Sequence, residues 1–228
     1  MFFIMSLILN IETSTKNCSV ALGRQGKLLD SIDYMEEGYS HAEKLHVFID
    51  RLLKQNNLSL QDLSAVAVSK GPGSYTGLRI GVSAAKGLAY GLEIPLIAIS
   101  TLEHMAHQIK DEKGFIIPLI YARRMEVYSA VFDENHQKIR ETKAEIIDQN
   151  SFQEYLDRNK VFFIGDAVNK VQEVIKHPQA VFISGSYPSA KEMAALSHKK
   201  FLEKDFADTA YFEPFYLKDF IVTRKKKQ

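Results

Sequence analysis

One segment constrains this chain more than any other: Lys70-Gly71-Pro72-Gly73-Ser74-Tyr75-Thr76-Gly77-Leu78-Arg79-Ile80-Gly81. It follows an apolar, β-branched run at 64–69 and opens a stretch, 75–90, that reads as a helix stopped by Gly91 in the C′ position. Glycines between a buried strand and a helix start permit positive φ and close backbone approach. The helix N-terminus also presents unpaired N–H groups and a positive dipole end, so an anion could sit there. Two phosphate-binding motifs nevertheless fail. The P-loop needs Gly-Lys-Ser/Thr, and Gly77 is followed by Leu78-Arg79; the dinucleotide fingerprint needs a third Gly or Ala, and Thr76 stands there. Inside the helix, Gly77, Gly81, Ala85 and Ala89 recur every four residues. A glycine in a helix interior costs roughly 1 kcal/mol relative to alanine, so this small-residue stripe implies close approach by something. Two compatible readings remain: packing on the chain's own sheet or on the helix at 40–55, and contact with another protein chain.

The flanking sequence reads as strand and helix units that occur twice. Residues 6–12 form an apolar strand; 18–22 and 27–34 flank Gly23-Arg24-Gln25-Gly26 as a hairpin. Ser40-His41-Ala42-Glu43 is a capping box heading a helix at 40–55, whose apolar face is Leu45, Phe48, Ile49, Leu52 and Leu53. Residues 94–99 form a further buried strand, and Thr101 opens another helix. After Glu112 the pattern restarts with an apolar strand at 115–122, an alternating one at 126–132 that turns into 136–142, buried strands at 161–164 and 180–183, and a second capping box, Ser189-Ala190-Lys191-Glu192, before a helix. Strand–helix–strand with an apolar second strand argues for parallel pairing by right-handed crossover. We expect two related α/β lobes, 1–103 and 104–228. With 228 residues, a net charge of +1 and a single cysteine, Cys18, the chain is long enough for a core, has no global bias toward nucleic acid, cannot form an internal disulfide, and suits a reducing compartment. The apolar N-terminus lacks a basic n-region and spanning length, so no membrane association is expected; Met5 offers a second start besides Met1.

Few side chains suggest catalysis. His104 and His107 share a helical face, but only Glu103 accompanies them, which argues against a metal. His41 reads as a helix N-terminal residue, His46 as a surface one, and Cys18 as a small buried strand residue with no adjacent base. Glu12 with Thr13-Ser14-Thr15 forms a polar strand-end turn. Gly165-Asp166-Ala167 reads as a helix-starting turn capped by Asp166. Arg224-Lys225-Lys226-Lys227 is a basic tail of the kind usually solvated, and four charges would give RNA only a weak, salt-sensitive contact.

The same residues resemble the TsaB (YeaZ) family: Ile11-Glu12-Thr13-Ser14-Thr15, Cys18-Ser19-Val20-Ala21-Leu22, the segment from Gly71 to Gly81, Ala122-Arg123-Arg124-Met125-Glu126-Val127-Tyr128, and Pro214-Phe215-Tyr216-Leu217. The chain departs from the family's common pattern at Tyr121 and Met125. The resemblance implies a two-lobed fold of the actin/Hsp70/sugar-kinase-like (ASKHA) type, with RNase H-like lobes of mixed sheets flanked by helices. It implies a cytoplasmic, non-catalytic subunit that activates the paralogous transferase TsaD, with the ATPase TsaE, in forming N6-threonylcarbamoyladenosine (t6A) in tRNAs reading codons that begin with A. Contact with tRNA would come through the complex, and the chain alone would form a homodimer. The catalytic paralogue carries a metal-binding His-x-x-x-His where this sequence has Thr101 and Met105, a hydroxyl and a thioether that are poor replacements for two imidazoles. No metal and no cofactor of its own are therefore expected, although a nucleotide at the complex interface fits the resemblance. The expected partner interface comprises Leu45, Phe48, Leu52, Gly77, Gly81 and Ala85; a vestigial nucleotide or anion loop would comprise Thr13, Ser14, Gly71, Gly73 and Ser74. The alternative is a stand-alone ATP-dependent carbamoyl or phosphoryl transferase of the same fold, and a metallopeptidase is disfavoured because no His-Glu-x-x-His is present.

Overall fold

The structure is a computed structural model that describes residues 6–35, 41–123 and 126–217. Ser40, Met5, Arg124, Met125 and the tail at 224–227 lie outside the described residues. The first sheet contains β1 (Leu7–Glu12), β2 (Asn17–Arg24), β3 (Lys27–Met35), β4 (Ala65–Ser69) and β5 (Leu96–Ile99), in the order β3-β2-β1-β4-β5. The second contains β6 (Phe115–Arg123), β7 (Glu126–Phe132), β8 (Lys138–Ile146), β9 (Val161–Ile164) and β10 (Ala180–Ile183), in the order β8-β7-β6-β9-β10. In each sheet the first three strands pair antiparallel as a meander, and the last two add parallel to the first strand. The repeated order read from the sequence is therefore one topology used twice.

Helices cover both faces of each sheet, which is why β1, β4 and β9 are buried at every position rather than alternating between buried and exposed. In the first lobe Leu7, Leu9 and Ile11 of β1 pack with α1 (His41–Gln55) and α2 (Tyr75–Gly91), while Ile8 points to the opposite face. That opposite face is covered by α6 (Met193–Glu203), through Met193, Leu196 and Phe201. In the second lobe α4 (Gln153–Leu156) and α5 (Val168–Val174) cover one face, and α3 (Thr101–Ala106) covers the other through Leu102, Met105 and Ala106. The helix that ends each lobe's sequence thus packs on the other lobe's sheet. A division at 103/104 would cut α3 in two and assign α6 to the wrong core; by packing, α3 goes with the second sheet and residues from about Ser189 to Ala207 with the first.

Local differences have physical causes. The hairpin turn between β2 and β3 places Gln25 (φ 52°) and Gly26 (φ 77°) in the left-handed region, as a type I′ turn requires. α2 runs through Gly91 instead of stopping before it; Leu92 is the C-cap, and Glu93 (φ 55°) takes the left-handed residue's role. Of the second capping box only the serine half forms: Ser189 Oγ accepts from Lys191 N over a 3-10 turn at Ala190–Glu192, and α6 begins only after it.

Candidate functional site

The polar turn after β1 and the glycine segment before α2 lie against each other. Ser74 N donates to Ser14 O (2.6 Å), Thr13 Oγ1 donates to Gly77 O (2.7 Å), and Ser74 Oγ caps α2 by accepting from Gly77 N (3.3 Å). The glycines are required by this contact: a Cβ at Gly73 would stand 2.4 Å from Ser14 O, at Gly77 2.0 Å from Thr13 O, and at Gly81 2.2 Å from Thr13 Oγ1. Gly71 has φ 106°, and its carbonyl accepts from Thr101 N at 3.0 Å. The two halves of the loop expected for an anion, Thr13-Ser14 and Gly71 to Ser74, therefore pack on each other, with the carbonyl oxygens of Thr13 and Ser14 facing Gly77 and Gly73.

Beneath the turn is a buried acid–imidazole pair. Glu12 and His104 are both completely buried, 92 residues apart; His104 Nε2 bonds Glu12 Oε2 at 2.6 Å, and Ser14 N donates to Glu12 Oε1 at 2.5 Å. Burial pushes the Glu12 carboxyl up, but the His104 hydrogen bond and charge, with the Ser14 contacts, outweigh it and hold the group below the usual carboxylate range. Cys18 nearby is pushed up to about 12 by burial and by the Glu12 charge, so it is an inert thiol, as its strand position predicts. The pair ties β1 of the first lobe to α3, whose apolar face belongs to the second. Sequence reading considered His104 beside His107 and missed this partner, because nothing in local spacing marks a contact between a strand end and a helix so distant in the chain.

Thr101 and Met105 both make contacts inside the chain. Thr101 Oγ1 and Ser69 Oγ are hydrogen bonded at 2.7 Å, and Met105 is fully buried in the core between α3 and the second sheet. Among the described residues, no group of three or more His, Cys, Asp and Glu side chains could hold a metal ion. His107 Nδ1 donates to Glu103 O (3.0 Å), and its ring stacks on His136 with centroids 4.2 Å apart; burial, followed by the His136 charge, lowers its pKa despite the Glu103 carbonyl. His41 is buried, its Nε2 donating to Thr15 O at 2.7 Å. Asp166 does not cap α5: it accepts from Tyr121 N at 2.7 Å, bracing the turn against β6, and burial raises its pKa against that bond.

The two helices expected to meet a partner present a surface made of other residues than those the sequence suggested. Leu45, Phe48, Leu52, Gly77, Gly81 and Ala85 are all buried within this chain, the first three and Ala85 in the core over the first sheet. The outer groove between α1 and α2 is lined instead by Ala42, Ile80, Ser83, Ala84, Gly87 and Leu88, with His46 and Arg79 at its sides. α2 thus carries small residues on two faces. Ser83, Ala84 and Gly87 form a second set of small residues, without the regular four-residue spacing of the first.

A strand order used twice, with a polar strand-end turn against a glycine-rich helix start, defines a two-lobed α/β protein of the actin/Hsp70/sugar-kinase-like class. The family model of TsaD, tRNA N6-adenosine threonylcarbamoyltransferase, matches residues 37–226. The chain is 32% identical over 223 residues to tRNA threonylcarbamoyladenosine biosynthesis protein TsaB of Bacillus subtilis, covering 92% of this chain and 93% of that one. It is 30% identical to TsaB of Escherichia coli, with 96% and 97% covered. Among solved structures, YeaZ from Pseudomonas aeruginosa superposes with a TM-score of 0.82 at 26% identity, covering 93% of this chain and all of that one. The chain belongs to the TsaB family.

Proposed function

We propose that this chain is a non-catalytic subunit that binds and activates a TsaD-type threonylcarbamoyltransferase in t6A formation on tRNA. The carrying observation is the state of Thr101 and Met105: one is hydrogen bonded to Ser69 and the other buried in the core, so neither is free to serve as a ligand. The relatives' name, tRNA threonylcarbamoyladenosine biosynthesis protein, supplies the process. The transferase family model that matches this chain supplies the kind of partner, since a duplicated fold shared by two paralogues favours pairing through equivalent surfaces. In this reading the outer α1–α2 groove receives the catalytic paralogue, and in its absence a second copy of this chain. A TsaE-like ATPase joins that complex, tRNA is met through it in the cytoplasm, and the chain needs no cofactor of its own.

Reconstitution tests this. With the paralogue, the ATPase and a threonylcarbamoyl donor, modified adenosine should form on tRNA only when this chain is present, and this chain alone should show no turnover. Equal modification without it would overturn the reading, and metal-dependent turnover by the chain alone would support the stand-alone transferase.

A further inference from the structure

We propose that Arg79 is the polar anchor of the α1–α2 surface, held in place by the C-terminal strap and presented to a carboxylate on a partner helix. The proposal rests on the reading of that surface as partner-binding. After α6 the chain turns back over the first lobe. Ala207 N donates to Leu96 O (2.8 Å), Lys86 Nζ donates to the carbonyls of Ala210 (3.1 Å) and Phe212 (3.0 Å), Phe212 joins the core over the first sheet, and Phe215 N donates to Lys70 O (2.7 Å). The strap thus follows α2 and ends at the rim of the groove. There Tyr216 lies on Tyr75, with ring centroids 4.8 Å apart. The Arg79 guanidinium sits 4.1 Å from the Tyr75 centroid and 6.0 Å from that of Tyr216, and Arg79 Nε donates to Tyr216 Oη at 3.2 Å.

That arrangement fixes the plane of an exposed side chain that would otherwise be mobile. It uses Nε and leaves both Nη groups, the fork that matches a carboxylate, without a hydrogen-bond partner among the described residues. Glu213 acts on Arg79 electrostatically but lies beyond ion-pair distance. The groove running from Arg79 is apolar and small, through Ile80, Ser83, Ala84, Gly87 and Leu88. A channel of this kind between two helices takes a third helix by ridge-in-groove packing. One preorganised cation at its side then selects a helix with small or apolar residues along the contact and an Asp or Glu facing Arg79. An RNA backbone does not fit, because a single cation beside an apolar groove gives phosphates little attraction.

The test measures affinity for the purified catalytic paralogue at low and high salt, with circular dichroism confirming that each variant folds. Arg79→Ala should weaken binding about tenfold or more at low salt and flatten its salt dependence. Arg79→Lys should restore only part, since it returns charge without the planar fork. Tyr216→Ala should follow Arg79→Ala, and Tyr216→Phe, which keeps the ring, should lose less. The proposal is overturned if the unmodified chain binds the paralogue and Arg79→Ala matches it in affinity and salt dependence, or if Arg79→Ala changes tRNA affinity of the isolated chain and leaves paralogue affinity alone. Failure of the unmodified chain to bind at all would overturn the underlying partner reading as well, and is distinguishable on that ground.

Discussion

The hydroxyl of Thr13 occupies the space that a side chain at Gly81 would need: a Cβ there would lie 2.2 Å from Thr13 Oγ1. The same hydroxyl donates to Gly77 O, one turn earlier in α2. The turn after β1 therefore begins with a residue that is at once a wedge and a clasp for the helix.

Gly81→Ala should destabilise the fold by about 2 kcal/mol even though alanine favours helix, because overpacking against a buried, hydrogen-bonded group outweighs propensity. Removing the wedge should reverse part of this. In the Thr13→Ala, Gly81→Ala double variant the next contacts of the new methyl are relaxed, at the cost of the bond to Gly77 O. A double-mutant cycle by urea denaturation should give a favourable coupling energy of about 1 kcal/mol or more. Strict additivity would show that α2 adjusts freely at this crossing.

Gly87 makes the opposite prediction. A Cβ at Gly87 meets nothing within 4 Å, and the residue is exposed in the groove. Gly87→Arg should leave the fold intact, with stability unchanged or higher by up to about 1 kcal/mol from helix propensity. It should also prevent co-purification with the catalytic paralogue. Gly81→Arg would instead drive a guanidinium into the buried contact with Thr13 and unfold the lobe.

Much of this was legible in the residues. The glycine segment, the hairpin around Gly23-Arg24-Gln25-Gly26 and the run of buried strands lead to the duplicated strand order, because hairpins and crossovers leave few topologies open. Three things were not. An amphipathic pattern shows that α3 and α6 bury one face, but Leu102 and Met193 carry no sign of which sheet receives them. Small residues at Gly81 and Gly87 look alike until Thr13 is placed beneath only one of them. Buried polar partners such as Glu12 and His104 meet through tertiary packing, and no local spacing encodes it.

Cys18 supplies a probe of opening. Its thiol is fully buried and pushed up to about 12, first by burial and then by the Glu12 charge, so at neutral pH it is neither ionised nor reachable. A thiol reagent should label the native chain only at the rate of opening of the first lobe, and label the urea-unfolded chain at once. Gly81→Ala should accelerate native labelling in proportion to its loss of stability, whereas Gly87→Arg should not. Rapid labelling of the unmodified chain would contradict the burial of β2.

The Glu12–His104 pair contributes to the acid side of the stability curve. A carboxyl whose folded pKa lies below its unfolded value contributes stability that is fully present above the unfolded value and is lost as pH falls through the folded one. For Glu12 the loss begins below about pH 4.3, the ordinary glutamate value, and continues downward. Removing the partner should cost more than removing the pair. His104→Ala leaves a buried carboxylate without its main support and should destabilise the chain by about 3–5 kcal/mol at neutral pH. In that variant the His104 hydrogen bond and charge no longer oppose burial, so the Glu12 pKa should rise and the acid loss assigned to this group should shrink. Glu12→Gln in the His104→Ala background removes the charge and should recover part of the stability at neutral pH. The measurement is urea unfolding of the three chains between about pH 4 and pH 8. A His104→Ala chain as stable as the unmodified one at neutral pH would show that the pair is not what joins β1 to α3.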